Sequence, residues 1–340
     1  MTRPLYYDCV VAVVCGADAK DNKMRRCVTE DTLMIKTNSM TRVFGDLVAV
    51  DNLELNIRQG VIHGFVGPNG AGKTTTIKML VGLLRCTSGS GMIKGLPAGS
   101  IQARQLIGYS PERPCLYNNM TAKNYLLYMA GLSGLKKNEA EARTNELLDW
   151  LDLSKFSYKK VGGFSAGMKQ RMGLAQALVH NPELLILDEP TANLDPHGRT
   201  SIINKLKELN SQQNITIFIS SHILPELEKL VHSMTLIDKG KVVMEDSMEQ
   251  IKQGFSQDRY VLKTSDNAKV MESIKSKPYI QEMLLDQSDI IYITCSDKSA
   301  LQKDVINAVQ QYNLRLFNFG EEEINLEDIY TKSVSTSGVQ

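Results

Sequence analysis

The sequence has no C-x-x-C pair, no long apolar run, almost no excess of one charge sign, and no internal repeat or low-complexity tract before its Ser-rich end. Each absence removes a class of protein. Its six cysteines, Cys9, Cys15, Cys27, Cys86, Cys115 and Cys295, are scattered, which reads as reduced thiols of a cytosolic protein and not as a disulfide framework or a zinc site. No apolar stretch approaches the roughly 18 residues of a membrane-spanning helix, so the chain is not expected to cross a membrane by itself. The formal net charge is +1, so no bulk field points to nucleic acid or to an anionic membrane surface. What is present is 340 residues, 42% hydrophobic and 23% charged. That is enough to bury the core of one large or two ordinary globular domains.

One stretch has no side chains with which to build a core. "FVGPNGAGKTT", residues 65–75, is rich in glycine and ends in a lysine and two threonines. The preceding "VIHGFVG" alternates and reads as a buried strand. After it, Ile77, Leu80, Val81 and Leu84 fall on one helix face,. Strand, glycine loop and helix are the context in which G-x-x-x-x-G-K-[ST], filled by Gly67, Gly72, Lys73 and Thr74, describes a phosphate cradle. Glycines let the backbone from Gly67 through Pro68, Asn69, Gly70 and Ala71 to Gly72 curl so that N–H groups point inward at phosphate oxygens. The helix N-terminus at Thr74 and Thr75 adds positive partial charge. Lys73 is expected on the β- and γ-phosphates and the Thr74 hydroxyl on Mg²⁺. The loop is built to hold a nucleoside triphosphate.

"ELLILDEP", 183–190, is an apolar strand ending in two acids. A carboxylate at the C-terminal edge of such a strand lies beside the glycine loop in a parallel sheet, so Asp188 is expected to hold Mg²⁺. Glu189, one residue on, is placed to take a proton from an attacking water. "NITIFISSH", 214–222, reads as the next strand, with His222 at its end as a γ-phosphate contact,.

In "GGFSAGMKQRMGLAQALVHNPE", 162–183, Ser165 reads as the N-cap of a helix carrying Leu174 and Leu178 on one side,. Ser165 and Gly167 therefore stand at a second helix N-terminus suited to an anion. Taken together, about residues 34 to 250 resemble the nucleotide-binding subunit of an ATP-binding-cassette (ABC) transporter. The family's signature is commonly L-S-G-G-Q and closes on ATP held by the partner subunit. By that resemblance Phe44, in "RVFGDLVAV", matches the aromatic that stacks on adenine, "GYSPE" at 108–112 matches the loop that usually carries glutamine, and Asp195, in "TANLDP", matches a residue that crosses the dimer interface. The chain departs from the pattern in two places. The signature is F-S-A-G-M, keeping Ser165 and Gly167, and Glu112 stands where glutamine is usual. Glu112 is able to coordinate Mg²⁺ but adds negative charge near the γ-phosphate. Both departures look like the exporters whose cassette and membrane subunit are separate chains.

The resemblance implies an α/β P-loop NTPase cassette, a mixed-sheet core with a helical subdomain at about 113–165, and ATP and Mg²⁺ as its ligands. It further implies a homodimer or pseudo-dimer of cassettes around two ATP, a separate integral membrane permease, no nucleic-acid partner, and a peripheral place on the cytoplasmic face of the membrane. An alternative from another class is a soluble ABC ATPase with a non-transport role. The translation type carries two cassettes in one chain, and only one is present here. The DNA-repair type inserts a long coiled coil between glycine loop and signature, where only about ninety residues lie.

The ends of the chain read differently. Residues 1–33 are expected to be an N-terminal extension, either frayed or preceding a true start at Met34. A signal peptide is weighed and set aside, because Asp8 precedes an apolar run of only seven residues, Cys9 to Cys15,. Such a peptide would also put an ATP-using domain outside the cytosol. The cassette is expected over 34–252. After it, four strand-like and two helical segments in the order β-α-β-β-α-β suggest a small ferredoxin-like accessory domain over 256–335. A last helix is expected near "LEDIYTKSV".

Overall fold

The computed structural model describes residues 32–192, 194–255 and 259–322, together with residues 326 and 329. The N-terminal extension up to residue 31 lies outside the described residues, as does most of the expected last helix.

Three sheets and three apolar cores organise the described residues. A five-stranded antiparallel sheet is built from β1 (Leu33–Phe44), β2 (Leu47–Leu53), β3 (Asn56–Arg58), β5 (Ser88–Ile93) and β6 (Leu96–Pro97). A six-stranded sheet runs in the order β11 (Lys241–Ser247), β10 (Ser233–Asp238), β4 (Ile62–Val66), β9 (Thr216–Ser221), β8 (Leu184–Asp188), β7 (Ile107–Ser110). All of its pairs are parallel except the β10–β11 hairpin. Its helices are α1 (Lys73–Leu80), α2 (Ile101–Gln105), α3 (Ala122–Leu132), α4 (Lys137–Trp150), α5 (Ala166–Leu178), α6 (Pro196–Gln213), α7 (Leu224–Glu228) and α8 (Met248–Phe255).

The central strands are continuous apolar runs because both of their faces are covered. Leu184 and Ile186 of β8, with Phe218 of β9, join Phe65 and Ile77 in the core against the antiparallel sheet. The alternate residues Leu185, Leu187, Ile217 and Ile219 join the helices α3 to α6 in the core on the other side. Helix α1 closes earlier than its apolar spacing predicts. It ends at Leu80, and Gly82 turns the chain with φ +78°, so Leu84 packs from beyond the helix.

The third sheet, in the order β13 (Ile280–Leu285), β14 (Ile291–Cys295), β12 (Arg259–Thr264), β15 (Leu316–Glu321), is antiparallel and carries α9 (Asn267–Ile274) and α10 (Lys298–Gln311). Its core of Tyr260, Leu262, Ile293, Leu301 and Val305 is a separate cluster. Two observations bear on the boundaries read from the sequence. Leu33 pairs with Arg58, and Gln59 N–H donates to the Thr32 carbonyl at 2.9 Å, so a chain beginning at Met34 would lose both contacts. Leu326 and Ile329 are buried in the core under α3 to α6 and not in the third cluster.

His63, on β4 ahead of the glycine loop, is fully buried and stacks on Phe218 at 5.7 Å between centroids. The Thr235 hydroxyl donates to Glu245 Oε2 at 3.0 Å, so it accepts from His63 Nε2–H at 2.9 Å. His63 Nδ1 therefore accepts from the Ser233 hydroxyl at 2.8 Å. Burial pushes the imidazole down to about 3. A folded-state value below the unfolded one means that protonation favours unfolding, so stability is lost as pH falls from the unfolded value toward the folded one. Between about pH 7.5 and about pH 5 this group alone should remove about 2 kcal/mol. Burial shifts the Glu245 carboxyl upward and opposes the trend, so the comparison with His63→Gln isolates the histidine. Urea unfolding should show that slope in the parent chain and a shallower one in His63→Gln, and equal slopes would refute it.

Candidate functional site

The parallel register brings the predicted residues to one edge of the six-stranded sheet. Val66 pairs with Ser221 and Asp188 with Ser220, so the ends of β4, β8 and β9 are level and the glycine loop leaves β4 beside the two acids. The loop needs its glycines for space. A Cβ at Gly67 would stand 2.2 Å from the Ile237 carbonyl oxygen, and Gly72, the N-cap of α1, has φ +105° and would place a Cβ 2.6 Å from the Ala49 carbonyl oxygen,.

An open cavity of about 510 Å³ lies over the loop, lined by Phe44, Pro68, Asn69, Gly70, Gly72, Lys73, Thr74, Thr75, Glu112 and Glu189. Lys73 is buried, and its Nζ donates to the carbonyls of Gly67 at 2.7 Å and Pro68 at 3.2 Å while facing Glu189 Oε1 at 3.4 Å. His222 Nδ1 lies 2.8 Å from Glu189 Oε2. The carboxylate can only accept, so Nδ1 carries the hydrogen and the half-exposed ring offers Nε2 outward,. Glu189 itself has φ +49°, a left-handed conformation that is strained for a glutamate and common at functional sites,. Its N–H is held by the Ser220 hydroxyl at 3.0 Å.

Asp188 is buried at 2% exposure and doubly bonded. The Thr74 hydroxyl donates to Oδ2 at 2.9 Å and the Ser220 hydroxyl to Oδ1 at 2.7 Å. Thr74 and Asp188 touch, and Glu112 lines the same cavity as Thr74; all three offer hard oxygen donors, the chemistry that suits Mg²⁺ and not a softer metal. Beside them the Tyr109 hydroxyl is pushed up to about 12, by burial first and then by the Asp188 charge, and stays protonated.

Not every expected residue reaches the cavity. Ala71 lies under it, buried, its carbonyl accepting from Gly240 N–H at 3.0 Å. Ser165 does cap α5, its hydroxyl accepting from Met168 N–H at 3.3 Å, but Ser165 and Gly167 lie away from the cavity lining, with Ser165 exposed. Asp195 is the exposed N-cap residue of α6 without a side-chain capping bond, and it too lies off the lining. Conversely, the cavity uses residues that the sequence reading passes over. Leu47, Val48 and Ala49 form an apolar wall next to Phe44, and Lys239 contributes a second cation. Ser220 anchors both Asp188 and Glu189 from the neighbouring strand. Only the strand register reveals that role.

Comparison with known proteins accords with this geometry. The family described as "ABC transporter" matches residues 50–192. Over 301 residues the chain is 33% identical to the uncharacterized ABC transporter ATP-binding protein YxlF of Bacillus subtilis, covering 88% of this chain and 99% of that one. It is 45% identical over 221 residues to the bacitracin transport ATP-binding protein BcrA of Bacillus licheniformis, covering 64% and 71% respectively. Among solved structures, the dimeric post-hydrolysis state of the ATP-binding cassette MJ0796 bound to ADP and Pi superposes with a TM-score of 0.59 at 25% identity, covering 63% of this chain and 99% of that one. A phosphate-cradling loop, a buried Asp-Glu pair and a near full-length relative lead to one conclusion: the chain belongs to the ABC transporter ATP-binding proteins and is an ATP-hydrolysing subunit of that kind.

Proposed function

We propose that two copies of the cassette, residues 34–252, close around two ATP molecules, each phosphate loop facing the Ser165–Gly167 segment and Asp195 of the other copy. The observation that carries this reading is that Lys73 and Glu189 face each other in one cavity, with His222 bonded to Glu189, while Ser165, Gly167 and Asp195 lie off that lining, Ser165 and Asp195 exposed and Gly167 half-buried. The dimeric cassette with bound ADP and Pi supports it as a likeness.

In this reading Phe44 stacks on the base, and the loop from Gly67 to Thr75 with Lys73 holds the phosphates. Thr74, Asp188 and Glu112 would hold Mg²⁺, which would supply positive charge to neutralise the phosphate oxygens. Glu189, facing Lys73 and bonded to His222, is the carboxylate placed to accept a proton from the attacking water,. His222 keeps Glu189 oriented through Nδ1 and has Nε2 left for the γ-phosphate. Catalysis here is positioning and charge neutralisation.

The remaining parts follow the same resemblance. No helix among the described residues is long and apolar enough to span a membrane, so the membrane step is assigned to a separate permease and this chain to the membrane's cytoplasmic face. The unit after residue 256, with its own core cluster, is assigned a structural or dimer-stabilising role.

Glu189→Gln should keep the shape of the site while removing the proton acceptor, lowering turnover by about a hundred- to ten-thousandfold. Size-exclusion chromatography should then show a dimer in ATP and a monomer without it. Adding Ser165→Arg should abolish that dimer, since a bulky cation would occupy the facing surface. Asp188→Asn should weaken Mg²⁺ binding, followed by titration, and trap no dimer. ATP-dependent dimers that survive Ser165→Arg would overturn the two-copy site.

Expressed alone, the chain should remain in the soluble fraction and hydrolyse ATP slowly. Expressed with its permease, it should sediment with membranes and be released when the permease is omitted. Stable sedimentation with protein-free lipid vesicles would contradict the peripheral assignment.

A further inference from the structure

The β10–β11 hairpin turns in two residues, since Asp238 pairs with Lys241 and only Lys239 and Gly240 lie between. Both have positive φ, 45° and 80°, the signature of a turn that favours Asn, Asp or Gly at its first central position and Gly at its second. Gly240 fits, because a Cβ there would meet the Ala49 carbonyl oxygen at 2.9 Å. Lys239 does not fit. A lysine gains nothing from the left-handed region that an Asn or Asp side chain would not relieve by local hydrogen bonding.

The turn is also fixed against the phosphate loop. Gly240 N–H donates to the Ala71 carbonyl at 3.0 Å, and Asp51 N–H donates to the Gly240 carbonyl at 2.9 Å. Lys239 lines the same cavity as Phe44 and Lys73 and is exposed. Among the described residues it has no ion-pair partner, whereas Lys241 next to it pairs with Asp51 at 3.2 Å. Its position along the cavity is set by its neighbour, since a Cβ on Gly72 would stand 3.6 Å from the Gly240 Cα. Lys239 thus stands beside the start of α1 and shares the cavity lining with Phe44 and Lys73.

We propose that Lys239 is a nucleotide-binding residue that contacts the α-phosphate, a role distinct from that of Lys73 at the outer phosphates. The turn carries a strained lysine because its charge is required over that part of the ligand. The proposal rests on the nucleotide occupying this cavity. A cation at the α-phosphate serves ATP and ADP alike, so it sets affinity for both and does not discriminate between them.

Calorimetric titration of the full chain with ATP, ADP and adenosine tests this. Lys239→Asn retains the turn, so its melting temperature should equal or exceed the parent's. Its Kd for ATP and for ADP should rise by about three- to fivefold, the range of a solvent-screened ionic contact. Adenosine affinity should not change. Lys239→Arg, which keeps the charge, should stay near the parent. An unchanged ADP affinity in Lys239→Asn overturns the proposal, and so do equal losses in the Asn and Arg variants, which would make the turn's shape the cause. Lys73→Ala, run in parallel, separates the levels. If it binds ATP like the parent, the cavity assignment fails and Lys239 falls with it. If it loses ATP while Lys239→Asn binds normally, only the Lys239 role is overturned.

Discussion

Lys73 and Glu189 face each other at 3.4 Å with their side chains 7% and 9% exposed, and two charges so far from water persist only if every remaining polar valence finds a partner. The ammonium takes the carbonyls of Gly67 and Pro68, and the carboxylate takes His222. Each partner imposes a further demand. For the Gly67 carbonyl to point back at Lys73 the chain must pass close to Ile237, which excludes a Cβ. For Glu189 to reach both Lys73 and His222 its backbone must take a left-handed conformation just past the end of β8. The glycine loop, the strained glutamate and the histidine are therefore one electrostatic unit and not three independent motifs.

The sheet supplies the accuracy that this unit needs. Parallel strands buried on both faces hold their register firmly, because a slip of one residue would exchange the two cores. Ile186 and Phe218 would then face the helices, and Leu187 and Ile219 the antiparallel sheet. The same register that keeps apolar side chains in place sets Asp188 against Ser220 and Val66 against Ser221. The geometry of the candidate site is thus stabilised by ordinary hydrophobic burial some distance from it.

How legible this was depended on the range of each interaction. The glycine loop, the Asp-Glu strand end, the cap at Ser165 and the alternation of strands and helices after residue 259 are local patterns, and the sequence displays them directly. Ser220 was not legible, because its role depends on which residue of β9 lies opposite Asp188. Lys239 was not legible either. It sits more than 160 residues from the glycine loop and reaches the cavity only through hydrogen bonds from Gly240 to Ala71 and from Asp51 to Gly240. The early end of α1 had a local signal in Gly82, but the apolar spacing that continues to Leu84 masked it.

If the site is divided between two copies as proposed, the residues left outside the cavity give a physical reason for the division. Helix α5 runs 13 residues and α6 runs 18, and each presents its N-terminus at an exposed residue, Ser165 or Asp195. The positive end of a helix is worth most to an anion when water is excluded. Exposed on one chain, those N-termini interact with solvent and contribute little. Brought over a phosphate held by another copy, they would leave water and meet charge in the same step. The closure free energy then depends on the outermost phosphate being present, so its hydrolysis weakens the interface that formed around it. A cavity complete within one chain would bind nucleotide as well, but it would have no means of converting the loss of a phosphate into the separation of two surfaces.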